Sequence, residues 1–205
     1  MTQQEPPRRS RGRPREFDKQ RALNAALLLF WRQGYEGASI AQLTRAMKIT
    51  APSLYAAFGS KQQLYREALE RYASTHGDPV ARALAAPGPC REVIGHVLAA
   101  AARQFTQPRL PHGCLVANGA LRCATENRAA AAATALLRRL GQDALRQRIE
   151  AAIAAGELPD DTDASTLAAF YAAAVQGMSV QAVDGATREQ LLRLGEYAMA
   201  AWPAG

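Results

Sequence analysis

ITAPSLYAAFGSKQQLY, residues 49–65, is the stretch whose reading decides the fold. It looks like a helix that opens on a proline, stops at Gly59 and restarts at once. In a first helical turn the backbone N–H has no intrahelical partner, so a residue without one costs nothing there. Pro52 therefore starts a helix, whether Thr50 or Ala51 caps it. Leu54 and Phe58, at i and i+4, form its single apolar edge, and the rest of its surface is small: Ala51, Pro52, Ser53, Ala56, Ala57. A helix of about eight residues is unstable alone, so neighbours must hold it through Leu54 and Phe58. Tyr55, one position beyond Leu54, is then expected to point away from the core.

Upstream, Ala22, Ala26, Leu29 and Phe30 recur at helical spacing from Asp18 onward, and Gly34 is a suitable terminator. Ser39 can cap a second helix carrying Ile40, Leu43 and Met47. A helix at 39–47, a tight connection at 48–50 and a helix at 51–58 make a helix-turn-helix. A slim rod with small side chains suits a DNA major groove, which is about 12 Å wide. Ser60-x-x-Gln63 reads as a capping box for a longer helix with Tyr65, Ala68, Leu69 and Tyr72 on one face.

The charge distribution agrees. The 205 residues carry a formal net charge of +7. Residues 1–61 hold eleven Lys/Arg against four Asp/Glu, whereas 62–205 hold fourteen of each. All of the excess sits in the first third, which implies a basic module for a polyanion joined to a neutral one. Residues 1–15 contain five arginines and almost nothing apolar, so they read as a flexible basic arm. Residues 16–61 read as the DNA-binding domain and 62–205 as a helical regulatory and dimerisation domain. No apolar run approaches the ~20 residues of a membrane span, and the arginine-rich start lacks a signal peptide's apolar stretch. Three cysteines, Cys90, Cys114 and Cys123, form no disulfide-scaffold spacing. The expectation is a cytoplasmic protein with reduced thiols.

Downstream, residues 77–90 (GDPVARALAAPGPC) are broken by glycine and proline and read as a connector. Helices are expected at about 90–105, 114–124, 126–155, 163–182 and 187–202, the last opening on the box Thr187-x-x-Gln190. No strand of period two is found. The fold class is all-α, with nine helices.

The spaced set Ala25-Ala26, Leu29-Phe30, Gly34-Tyr35, Ser39-Ile40, Leu43, Leu54-Tyr55, Phe58, Ser60-Lys61 and Leu64 resembles the N-terminal domain of the TetR/AcrR family of bacterial transcriptional regulators. The resemblance covers roughly residues 18–72. It departs at Ala51-Pro52, where many relatives carry glycine or a larger polar residue, which leaves few side chains able to read base edges. The resemblance implies that DNA contacts come from Ser39, Arg45, Lys48, Thr50, Ala51, Pro52, Ser53, Tyr55 and Lys61. Tyr55 would reach a phosphate or a thymine methyl, and Lys61 a phosphate at a helix N-terminus.

It also implies a repressor that binds a palindromic double-stranded operator as a homodimer and is released by a small-molecule inducer. One short helix makes too few base contacts alone, so two half-sites about 34–36 Å apart are needed. The last two long helices would form the dimer interface through Ala174, Gly177, Leu191, Leu194, Ala198, Ala201 and Trp202. Candidates for the inducer pocket are His96, Phe105, His112, Cys114, Leu115, Asn118, Phe170, Tyr171, Gln176 and Met178. Cys114 admits two readings, a sensor of oxidants or electrophiles and a small buried apolar residue. His112 and Cys114 supply only two ligands, too few for a metal site. Without a phosphate-cradling loop, a GxSxG elbow or a ligand cluster, neither enzyme chemistry nor a cofactor is expected. A sequence-indifferent, chromosome-coating protein would have no use for a neutral helical domain with room for a pocket.

Overall fold

The computed structural model describes residues 18–203; the basic arm expected over residues 1–15 lies outside the described residues. Among these residues are ten α-helices, one short 3-10 turn and no strand. The helix of the opening stretch is α3 (Ala51–Phe58), preceded by α1 (Lys19–Gly37) and α2 (Ile40–Met47) and followed by α4 (Lys61–Ser74). Leu54 and Phe58 are buried, in one core with Phe30, Tyr35, Leu43, Leu64, Tyr65 and Tyr72. Burying each such side chain is worth about 1.5–3 kcal/mol, which is what holds so short a helix.

That core is not confined to the first four helices. It also takes in Leu115, Ala120 and Ala130 from later in the chain. Helix α1 kinks at Gly34 (φ 70°, ψ 178°), which frees the Tyr35 N–H to donate to the Gly119 carbonyl at 2.7 Å. Glu36, just beyond, accepts from the Ala124 N–H at 2.8 Å and the Asn127 amide at 3.0 Å.

The remaining elements are α5 (Asp78–Ala85), α6 (Cys90–Phe105), α7 (Leu115–Asn118), the 3-10 turn (Thr125–Asn127), α8 (Arg128–Ala154), α9 (Ala164–Val183) and α10 (Arg188–Ala200). A second core gathers Ile94, Leu98, Phe105, Ile149, Tyr171, Met178 and Leu191 from α6, α8, α9 and α10.

Three expectations change. The connector at 77–90 contains α5, because Pro79 lies in a first turn and opens a helix just as Pro52 does. Val80 and Leu84 give it an apolar edge packed on the second core, and Arg82 pairs with Asp78 at 2.7 Å one turn away. The helix expected at 114–124 shrinks to α7, since the Gly119 carbonyl is taken by Tyr35 and the chain must leave the helical path. Finally, α9 is a twenty-residue helix without a charged residue, long and apolar enough by composition to cross a membrane, where no run of that length was expected. It is partly buried in the second core.

Candidate functional site

Helix α2 begins with a complete capping box. Ser39 Oγ accepts from the Gln42 N–H at 3.2 Å, and the Gln42 side chain accepts from the Ser39 N–H at 2.9 Å. It ends at Lys48, which takes left-handed φ 58° although it is not glycine, and the Ile49 N–H donates back to the Thr44 carbonyl at 3.1 Å. This compact end is the turn of the helix-turn-helix. Thr50 then caps α3, accepting from the Ser53 N–H at 3.3 Å, and the Thr50 and Ser53 hydroxyls lie 2.9 Å apart. Pro52 occupies the first turn.

The outer side of this unit is exposed at Ser39, Arg45, Lys48, Thr50, Pro52 and Ser53, with Ala51 half-buried. Tyr55 is 48% exposed, whereas its neighbour Leu54 is wholly covered. Lys61, at the start of α4, has its ammonium 4.3 Å above the Tyr35 ring. Partial burial lowers its pKa, and the nearby Glu36 carboxylate works against that. Ser60 caps α4 by accepting from the Gln63 N–H at 3.0 Å. The reciprocal half of that box is not made, because the Gln63 side chain accepts from Arg66 instead.

Beyond the first three helices lies a cavity of about 740 Å³, bounded by α4, α5, α6, α7, α8 and α9. Its volume is in the range of small-molecule sites, and its walls are mainly apolar. Phe105, Cys114 and Gln176 line it. The other pocket candidates lie elsewhere. Leu115 belongs to the first core, and Tyr171 and Met178 to the second, with the Tyr171 hydroxyl donating to the Ala198 carbonyl at 3.3 Å. Asn118 is turned to Ser179, donating at 2.9 Å. His112 and Phe170 are exposed, and His96 borders an adjoining hollow of about 520 Å³ between α5 and α6, with Gln104 on the wall of both.

Sequence reasoning missed Tyr72 and Gln104. Both are buried on the cavity wall. The Gln104 carbonyl accepts from Gln107 at 2.8 Å, which leaves its Nε2 without a partner. The Tyr72 hydroxyl lies against the Cys114 thiol and the Leu115 N–H and makes only weak, poorly aligned hydrogen bonds with them. The Tyr72 ring is fixed edge-on against Trp31 of α1, centroids 4.8 Å apart, and Trp31 Nε1 donates to the Gly113 carbonyl at 3.2 Å. A polar Gln104 on the apolar stripe of α6, three residues after Ala101, was the signal available in the sequence. Burial pushes the Cys114 thiol upward in pKa, against opposing hydrogen bonds led by Tyr72.

The dimer candidates divide similarly. Leu191 and Ala198 are buried in the chain's own second core, and Leu194 and Trp202 pack on it, Trp202 beside Tyr171. They are spent within the monomer because α10 packs on α6. Ala174 is half-buried, and Gly177 and Ala201 are exposed. What α9 leaves open is the stripe Phe170, Ala173, Gly177 and Val180; on α10 Tyr197 is 81% exposed.

Comparison with known proteins adds independent findings. Residues 22–68 match the family described as "Bacterial regulatory proteins, tetR family", and residues 90–192 match "Tetracyclin repressor-like, C-terminal domain". The HTH-type transcriptional repressor ComR of Escherichia coli is 33% identical over 96% of this chain and 94% of its own length. BdcR of the same organism, also an HTH-type transcriptional repressor, is 41% identical over 53% of this chain and 55% of its own. Among solved structures, a cysteine-substituted form of the regulator CifR, complexed with 26 bp double-strand operator DNA, is 45% identical. The alignment covers 93% of this chain and 100% of that one, with a TM-score of 0.89.

Proposed function

The chain belongs to the TetR family of bacterial transcriptional regulators, and from that premise we propose that it represses transcription by binding a palindromic operator as a homodimer and lets go when a small molecule enters its cavity. The observation that carries the reading is Tyr55, exposed on α3 while Leu54 and Phe58 fasten that helix from behind. Tyr55 and Lys61, with Ser39, Arg45, Lys48, Thr50 and Ser53 around them, are the proposed DNA contacts, and Ala51 and Pro52 let the backbone approach. The operator complex of CifR supports this placement.

The second copy is proposed to seat on α9, whose exposed stripe of Phe170, Ala173, Gly177 and Val180 has no charge to hold it in water. That explains an uncharged twenty-residue helix without a membrane. Acting on DNA, the protein works in the cytoplasm. Cys114 is read as wall: its thiol is held protonated by burial, and the thiol is a poor nucleophile compared with the thiolate.

The test is binding to DNA from upstream of its own gene, against scrambled DNA of equal length, at physiological salt. Specific affinity at least a hundredfold tighter is expected. Tyr55→Ala should weaken it at least tenfold with an unchanged urea midpoint. Equal affinity for both DNAs would refute the repressor reading.

A further inference from the structure

The charges on the cavity wall are all of one sign. Arg138 and Arg148 of α8 line it, and among the described residues no carboxylate does. Several other arginines find a counter-charge on their own helix: Arg146 pairs with Glu150 at 2.6 Å, Arg82 with Asp78 and Arg193 with Glu189. The two wall arginines instead donate to main-chain carbonyls, Arg138 to that of Val116 at 2.9 Å and Arg148 to that of Gly88. They are not equivalent. Arg148 shares its corner with Glu157, whose carboxylate accepts from the Cys90 N–H at 2.6 Å, while the Arg148 carbonyl accepts from the Cys90 thiol at 3.8 Å. Around Arg138 the ionisable neighbours are the Cys114 thiol and the Tyr65 phenol, both kept protonated by burial. A half-buried guanidinium in apolar surroundings is costly to leave without an opposite charge. One carbonyl also occupies only one of its several N–H donors.

We propose that the cavity takes an amphipathic anion, an apolar body with one carboxylate, and that Arg138 holds the carboxylate. This rests on the cavity being the inducer site. The apolar body lies along Val80, Leu84, Val97, Phe105 and Val175, and covers Leu140, which lines the same cavity and is 53% exposed without it. A planar guanidinium suits a planar carboxylate, because two parallel N–H groups can meet both oxygens. Arg138 also stands where the reading head can respond to that charge. Its bond to Val116 holds α7, and the carbonyl of Gly119, at the end of α7, accepts from the Tyr35 N–H of α1. A carboxylate competing with the Val116 carbonyl for Arg138 thus acts on the link between α7 and α1.

The experiment uses the full chain and three calorimetric probes with one tail and different heads: decanoate, decanol and decylammonium, each below its micelle limit. Decanoate should bind about tenfold or more tightly than decanol, and decylammonium more weakly than decanol. Arg138→Gln keeps a donor for the Val116 carbonyl and removes the charge. It should erase that tenfold gain while moving decanol less than about twofold. Arg138→Lys, which keeps the charge and loses the planar fork, should restore part of the gain. A merely structural arginine would weaken decanoate and decanol alike and lower the urea midpoint. Equal affinity for all three heads, a decanoate preference that survives Arg138→Gln, its loss in Arg148→Gln instead, or no binding of any probe would overturn the proposal. Release from DNA upstream of the protein's own gene is measured in parallel. Arg138-dependent decanoate binding without release keeps this inference and sinks the inducer-site reading. Release by decanol, indifferent to Arg138→Gln, does the reverse.

Discussion

The hydroxyls of Tyr65 and Thr134 stand 3.1 Å apart in the interior, where α4 meets α8. Thr134 gives its own proton to the Ala130 carbonyl at 2.9 Å, so Tyr65 is the donor of the pair. The bond fixes α4, which carries the reading head's core at one end and the cavity's Tyr72 at the other. Tyr65→Phe deletes the hydroxyl and leaves the Thr134 oxygen one donor short. A loss of about 1 kcal/mol is expected, read as a lower urea midpoint at unchanged m-value.

Alkaline pH should act through the same ring. Burial, only partly offset by the bond to Thr134, raises the Tyr65 phenol to about 12, and burial lifts Tyr171 to about 12 too. In the unfolded chain tyrosine ionises near ~10 and therefore loses its proton first. Stability is intact below about pH 10 and declines as pH rises toward 12, at up to about 1.4 kcal/mol per pH unit for Tyr65. Urea midpoints measured across this window should fall, and Tyr65→Phe should make the fall shallower.

Two glycines should answer alanine in opposite ways. A Cβ on Gly119 would stand 2.5 Å from the Leu115 carbonyl oxygen and 2.6 Å from the Tyr65 hydroxyl. Neither atom can retreat cheaply, so Gly119→Ala should cost about 1–3 kcal/mol. A Cβ on Gly141, within α8, meets nothing within 4 Å. Gly141→Ala should raise stability by about 0.5–1 kcal/mol through helix propensity. Thermal denaturation of the two variants decides both.

Lys48 separates stability from binding. Its left-handed backbone (φ 58°) is strained for a side chain with a Cβ and free for glycine. Lys48→Gly should stabilise the protein by up to about 1 kcal/mol while weakening operator binding and reducing the salt slope by about one. An unchanged slope would remove Lys48 from the phosphate contacts.

Most of the reading head was legible because its signals are local. Caps at Ser39 and Thr50, a first-turn proline and the pair Leu54 and Phe58 all act within one or two turns. Pro79 carries the same meaning as Pro52, yet α5 was obscured because its apolar edge is only Val80 and Leu84, amid alanines. The cavity was less legible for a deeper reason. Gln104 and Tyr72 are distinguished by burial on the cavity wall, and that depends on where several helices meet. Leu191 shows the same limit: its spacing marks an apolar face, but only packing shows that α6 has already claimed it.

The first core draws Leu115, Ala120 and Ala130 into a reading head otherwise made of α1 to α4, and the Gly119 carbonyl binds the Tyr35 N–H. A chimera that grafts this head onto another regulator by a single cut after α4 would leave those plugs behind. The transplantable piece is discontinuous, and a functional hybrid must carry the 113–134 stretch along with it.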